Sequence, residues 1–323
     1  MLTEQQRKAR GETIGGSEIA SLFYVWRDQQ GRTIYRHMFE PPIPGAEPVG
    51  CVGRHTTGYR LLQIKAGRLD PDDLDEVERV QAGNYMEPAI AAWAQDKFEL
   101  PIRQVRRYLE GPVLGMGASL DYEMAKGERA PVEIKNVDGL IFRDLWEADG
   151  EEIIAPPIDI TLQVQHQIAC ANTSHGWIVA CVGGNRLVRG RIERHQPTID
   201  KITEAVGVFW QGVAAGDDPI ALADYDTVSD LYLAAEKGSE IDLSHDNELP
   251  SLAARLKLIQ SRRKRCEKIE DRYKAMVGAR LGDHTKAHLA GGATIGWPIV
   301  NRKASTREIA ASTYRGAMTI KGI

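Results

Sequence analysis

The 323-residue chain has no apolar run approaching the length that spans a bilayer. Its start, Met1-Leu2-Thr3-Glu4-Gln5-Gln6-Arg7-Lys8, lacks the apolar core of a secretory leader. No membrane role is expected, and a cytoplasmic location follows by default. Cysteine is scarce: Cys51, Cys170, Cys181 and Cys266 stand apart with no CxxC pair, which argues against a zinc ribbon. Cys170 falls on the apolar side of a helix and Cys181 in an apolar strand, so both read as buried reduced thiols. The eight histidines form no cluster. Positive charge is not in excess either, the formal net charge being −4. That balance does not exclude a nucleic-acid ligand, because phosphate contacts act where they occur. Local basic tracks exist at Arg103/Arg106/Arg107, at Arg186/Arg189/Arg191/Arg194 and at Arg262-Arg263-Lys264-Arg265. Each reads equally as a solvated face.

What is present is a set of short stretches that fit together: Gly117-Ala118-Ser119-Leu120-Asp121, Val132-Glu133-Ile134-Lys135 and Gln163-Val164-Gln165-His166. Glu133 and Lys135 are two apart on a predicted strand, so their side chains share one face. Asp121 ends an earlier strand-like run, Val113 to Leu120, and a hairpin connection would bring it beside Glu133. Two carboxylates and a lysine on adjacent strands make a hard-oxygen site for Mg²⁺ or Mn²⁺, one or two ions, with the lysine orienting a water. The pattern alone is common, and an ordinary strand with an exposed Glu/Lys pair also satisfies it. Glu87 strengthens the set, since Met86-Glu87-Pro88 puts a carboxylate at a helix entrance with proline in the first turn. The chemistry expected is phosphodiester hydrolysis. Asp121, Glu133 and the Ile134 carbonyl hold metal, Glu87 completes the site, and Lys135 positions the attacking water. His166 reads as a helix-face partner of the site. Gln163 and Gln165, two apart on a helix, cannot both face it.

Along the chain, Ser17 reads as the N-cap of a helix over Ile19 to Val25. Residues 27 to 53 read as a long loop. Helices are expected over 54–65, 87–99, 160–171 and 198–215. Strands are expected over 102–109, 113–120, 131–136, 176–182 and 187–193. Leu140 to Pro157 reads as a mobile loop. This is an α/β order of the α+β kind, a mixed sheet flanked by helices, over residues 1–222. Residues 223–323 form an extension with a polar connection. Its long charged helix has Leu252, Leu256, Ile259, Cys266, Ile269, Tyr273 and Met276 at helical spacing. Gly291-Gly292 then signals a short hairpin. The extension is a candidate interaction arm, DNA clamp or structural lid, and its apolar stripe reads as packed within its own fold or on the core.

The order Ile14-Gly15-Gly16-Ser17-Glu18-Ile19-Ala20, Gly83-Asn84-Tyr85-Met86-Glu87-Pro88, Gly117-Ala118-Ser119-Leu120-Asp121, Glu133-Ile134-Lys135 and Gln163-Val164-Gln165-His166-Gln167 resembles the YqaJ-type viral recombinase family. That family includes phage lambda exonuclease, within the PD-(D/E)XK nuclease superfamily. The resemblance covers about residues 7 to 220, including Phe209-Trp210 and Pro219. Leu120 stands where the family often has proline, and Asn136 where cysteine is common. It implies a restriction-endonuclease-like core and a Mg²⁺-dependent exonuclease. Such an enzyme trims one strand of linear duplex DNA, 5′ to 3′, leaving a 3′ overhang for a single-strand annealing protein. It implies Gln165 as the glutamine of the site, with DNA contacts from Ser17, Ser119 and Gln163. It also implies that Arg10 receives a 5′-phosphate. A homo-oligomer, a trimeric ring by resemblance, is a further implication, as is a bacterial or phage-infected cytoplasm. Some related nucleases carry an iron–sulfur cluster, but the late cysteines here are too dispersed for one. The rival readings are an endonuclease or repair nuclease on the same core, or a DNA-end-binding protein without catalysis.

Overall fold

The structure is a computed structural model that describes residues 11–301, apart from residues 42, 75, 235 and 237. Two compact units divide between Leu231 and Tyr232, where the sequence put a boundary at 222/223. Asp224 accepts a hydrogen bond from Thr57 Oγ1 at 2.6 Å, and Arg60 pairs with Asp230 at 2.8 Å. Those contacts tie residues beyond 222 to the first unit.

The first unit opens with β1 (Phe23–Arg27), β2 (Thr33–His37) and β3 (Glu47–Cys51), a small antiparallel sheet ordered β2-β1-β3. Helices α1 (Gly58–Lys65) and α2 (Glu78–Phe98) follow, then β4 (Ile102–Glu110), β5 (Gly117–Met124) and β6 (Pro131–Val137). After α3 (Gly139–Leu145), β7 (Glu147–Asp149) and β8 (Glu152–Ala155), helix α4 (Ile158–Ala171) crosses back to β9 (His175–Val182). The unit continues with β10 (Arg186–Glu193), α5 (Gln196–Ala215) and α6 (Tyr225–Leu231). The main sheet runs β4-β5-β6-β9-β10-β8-β7. β6 and β9 pair in parallel, while β4–β5, β5–β6 and β9–β10 are antiparallel. The mixed sheet flanked by helices is therefore borne out.

β9 explains why the sheet sits centrally. Its Ile178-Val179-Ala180-Cys181 run is buried throughout, as a strand covered on both faces requires. Ile178 and Ala180 join the cluster containing Val164, Ile168 and Phe209. Val179 and Cys181 join Ile90, Ala91 and Ala94 of α2. Alternate side chains of one strand thus feed two cores, and Cys170 and Cys181 are buried free thiols as expected.

Several local expectations are corrected. Ser17 caps no helix: only a 3-10 turn, Ile19–Leu22, forms, and its cap position is Glu18. Phe23-Tyr24-Val25-Trp26 is aromatic and β-branched, and it enters β1 instead. The expected loop at 27–53 contains β2 and β3. The expected mobile loop at 140–157 contains α3, capped by Asp138 on Leu140 N–H at 2.8 Å, and the β7–β8 pair. α2 begins at Glu78, so Pro88 lies inside it and not in its first turn. Asp121 lies within β5, not at a strand end. The turn preceding β5 takes up Gly115, at φ 78.

The second unit contains α7 (Leu249–Leu281) and the hairpin of β11 (Lys286–His288) with β12 (Thr294–Gly296). Gly291 and Gly292 supply φ of 80 and 81 at its turn, as the sequence signalled. Among the described residues no helix is long and apolar enough to cross a membrane.

Candidate active site

Strand register builds the site. β5 and β6 pair at Glu123↔Pro131 and Tyr122↔Val132, and there the pairing stops. The next residues in that register are Asp121 and Glu133. They face each other where the two strands part, and the parting opens a cleft lined by Glu87, Asp121, Glu133, Ile134 and Gln167. Glu87 comes from α2, which packs on β6. Three carboxylates are thus drawn from a helix and two strands.

Their mutual repulsion shows in Glu87. Burial first, then the charges of Asp121 and Glu133, push its carboxyl up to about 7, while Arg106 and Lys135 pull the other way. The same surroundings hold the Tyr122 hydroxyl above its ordinary range, chiefly through burial.

Glu133 is held by side chains of α4 and by its own strand. Gln163 Nε2 donates to its Oε1 at 2.7 Å, and Gln167 Nε2 donates to its Oε2 at 2.6 Å. Lys135 Nζ lies 2.7 Å from Glu133 Oε1 and donates to Gln163 Oε1 at 3.0 Å. Glu133, Lys135 and Gln163 therefore close a triangle, with Gln163 both accepting and donating. The pairing of residues i and i+2 on one strand face occurs as the sequence predicted.

Gln165 is a correction. It is 2% exposed, donates to the Glu193 carbonyl at 2.7 Å and accepts from His195 N–H at 2.9 Å. It fastens the end of β10 to the start of α5 and takes no part in the cleft. Residues 163 and 167 are one helical turn apart and share a face, whereas 165 points away. Gln167 was missed, although its i+4 spacing from Gln163 was visible.

The supporting contacts converge on Gly117. His166 is fully buried, and its Nε2 lies 2.9 Å from the Gly117 carbonyl. Burial depresses its pKa to about 4, so the ring is neutral. Gly117 N–H donates to the Ile14 carbonyl at 3.1 Å, and a Cβ at Gly117 would overlap the Tyr108 hydroxyl. These contacts bind the N-terminal segment to the base of β5. A Cβ at Gly16 would lie 3.5 Å from Gln163 Cγ and 3.6 Å from Gln167 Cγ, so this glycine packs close to the helix face that grips Glu133, and Ser17 after it is exposed. Glu18 stabilises the segment by accepting from Gly15 N–H at 2.8 Å and pairing with Lys65 at 3.1 Å. Ser119 is half-buried two residues before Asp121 on β5. Arg10 lies outside the described residues.

The donor chemistry fits a hard divalent cation: carboxylate oxygens, the Ile134 backbone and a negative charge that adds to burial in lifting Glu87. Yet among the described residues no three His, Cys, Asp or Glu side chains form a ready-made cation cage. Both oxygens of Glu133 are engaged by Gln163, Gln167 and Lys135. A cation would have to compete with those donors for Glu133.

The chain is 26% identical over 197 residues to the uncharacterized protein YqaJ of Bacillus subtilis (strain 168), covering 59% of this chain. It spans about 60% of the length of that relative. Among solved structures, an alkaline exonuclease (LHK-Exo) from Laribacter hongkongensis is 18% identical with a TM-score of 0.45. The match covers 66% of this chain and 94% of that one. The LHK-Exo complex with dAMP is 17% identical with a TM-score of 0.44, over the same shares of the two chains. The family resemblance of the sequence motifs is borne out: over residues 45–174 this chain matches the YqaJ-like viral recombinase domain.

Proposed function

We propose that this chain is a divalent-metal-dependent deoxyribonuclease of phage-type recombination. The carrying observation is that Asp121 and Glu133 face each other at the point where β5 and β6 part, with Glu87 beside them and Lys135 tied to Glu133. Asp121, Glu133, the Ile134 carbonyl and Glu87 would hold one or two Mg²⁺ ions, with Mn²⁺ as an alternative. Such an ion, when bound, supplies Lewis-acid stabilisation of charge developing on the phosphate and the leaving oxygen.

The chain's own residues do the rest. Lys135 Nζ carries three N–H donors; two serve Glu133 and Gln163, leaving one to orient an attacking water. Gln163 holds Lys135 and Glu133 in fixed relation. Gln167 holds the second Glu133 oxygen and sets the direction of that carboxylate. Ser17, Ser119 and Arg10 are the proposed backbone-phosphate contacts, Arg10 toward a 5′-phosphate. The motif resemblance supports 5′ to 3′ digestion of one strand of linear duplex, an annealing protein as partner, and a ring-forming homo-oligomer.

Linear duplex labelled at either the 5′ or the 3′ end, with a closed circle alongside, tests this reading. Early release of 5′ label with the circle intact is the expected result. Nicking of the circle would make the enzyme an endonuclease. Binding to ends with no cleavage in Mg²⁺ or Mn²⁺ would remove the catalytic reading.

A further inference from the structure

The cleft has a cation that the metal-site motif does not include. In the β4–β5 pairing, Gln104 faces Tyr122 and Arg107 faces Leu120, with a register shift between them. Val105 and Arg106 therefore stand together opposite a single residue, Asp121. Two residues against one is a β-bulge. Arg106 adopts φ 50, a strained left-handed conformation that arginine rarely takes. On the same strand, Arg103 and Arg107 both grip the buried Glu123, Arg107 at 2.9 Å. Arg106 is exposed on the bulge opposite Asp121, and its charge acts on Glu87 and on the Tyr122 hydroxyl, at the cleft.

We infer that Arg106 is a substrate-positioning residue whose guanidinium, aimed by the bulge opposite Asp121, seats a backbone phosphate of the DNA strand entering the cleft. Three carboxylates repel a polyanion, so a strand approaching them needs a compensating cation at the rim. A guanidinium meets a phosphate through two parallel N–H donors, a geometry that an ammonium does not reproduce. The strained backbone is then the cost of turning this one side chain away from Glu123 and toward the substrate.

The inference rests on the deoxyribonuclease reading, and the experiment separates the two. Binding of a short labelled duplex with a single-stranded tail is measured by fluorescence anisotropy in EDTA, across a salt series, for the whole chain. The variants are Arg106→Gly, Arg106→Asn, Arg106→Lys and the control Arg129→Gln. Loss of one phosphate contact should weaken binding about tenfold at 0.1 M salt and lower the log–log salt slope by about 0.9. Arg106→Gly and Arg106→Asn should both do this without lowering the thermal midpoint, because glycine and asparagine tolerate left-handed φ. Arg106→Lys should keep the slope but bind more weakly than wild type. Arg129→Gln should leave the slope unchanged. A wild-type slope in both Arg106→Gly and Arg106→Asn, with cleavage intact, would overturn the assignment. So would a drop in their thermal midpoint with DNA affinity unaltered, which would make Arg106 structural. A wild-type chain that neither binds nor cuts duplex would sink the nuclease reading itself.

Discussion

The two units reach ordered structure by different routes. In the first, β9 is sealed on both faces, and Ile178, Val179 and Ala180 are wholly buried. In the second, α7 runs 33 residues with Leu281 as its buried residue. Leu252 is 54% exposed, Ile259 61% and Tyr273 62%. Their helical spacing predicts a packed stripe, and within the described residues the stripe is exposed. The helix of the second unit leans on local terms: chain propensity and i,i+4 pairs such as Arg263–Glu267 at 3.4 Å and Glu270–Lys274 at 2.5 Å. Local terms are worth tenths of a kcal/mol each, while a buried aliphatic side chain is worth about 1.5–3 kcal/mol. A site that must hold several like charges together belongs on the first kind of scaffold. Hydrophobic burial there offsets what the carboxylates cost.

The largest effect should be kinetic and confined to the first unit. Lys135→Ala is expected to slow cleavage by about 10²–10⁴-fold, the range for losing a group that positions or activates a reacting water. Divalent-cation affinity should remain measurable by calorimetry. Destroyed affinity would make Lys135 part of the cation site's structure.

Next in size is the stability contrast. Ile178→Ala removes a fully buried side chain and should cost about 2–5 kcal/mol in chemical denaturation. Ile259→Ala on the exposed face of α7 should stay within about 0.5 kcal/mol. Equal losses would mean that the exposed stripe is covered in solution.

A finer contrast lies on α4 itself. Gln165→Ala strips the partners of Glu193 and His195 and should cost about 1–3 kcal/mol of stability. Gln167→Ala should instead lower activity about 10–100-fold, by freeing one oxygen of Glu133. The reverse pattern would exchange the roles assigned to the two glutamines.

The smallest expected effect is in the pH dependence, where the two perturbed groups act in opposite senses. His166 titrates near 6.5 when unfolded and about 4 when folded. The unfolded chain therefore takes up its proton first, and stability is lost as pH falls from about 6.5 toward 4. Glu87 is raised from 4.5 to about 7, so its contribution is present below about 4.5 and fades as pH rises through 7. A divalent cation requires the ionised carboxylate, so cation affinity should climb through the same window. Melting curves between pH 4 and 8, with and without Mg²⁺, check both signs. A stabilisation by Mg²⁺ that does not grow between pH 6 and 8 would remove Glu87 from the cation site.

Much of the site was legible because it depends on short-range periodicity. Glu133 and Lys135 share a strand face by the period of two. Asp121 and Glu133 meet because a short connection returns β6 antiparallel to β5. Gln163 and Gln167 share a helix face for the same kind of reason, and the spacing was the better guide: the family resemblance favoured Gln165, which lies on the opposite side. Other features depend on partners that no local pattern displays. Arg106 departs from its strand because of register against β5, not because of its neighbours in sequence. Residues 27–53 look like loop by composition, but β1 supplies the pairing that makes two strands there. Pro88 reads as a helix start, yet α2 accepts it in the interior, where its absent N–H removes one backbone bond.

The most direct test is cleavage of linear duplex DNA in Mg²⁺ by wild type and by Asp121→Asn, a near-isosteric change that removes one charge from the cleft, with unchanged melting verified first. The wild type should digest the duplex and stop when EDTA is added, while Asp121→Asn should show no digestion above background. Robust cleavage by the folded Asp121→Asn protein would place the chemistry somewhere other than the cleft between β5 and β6.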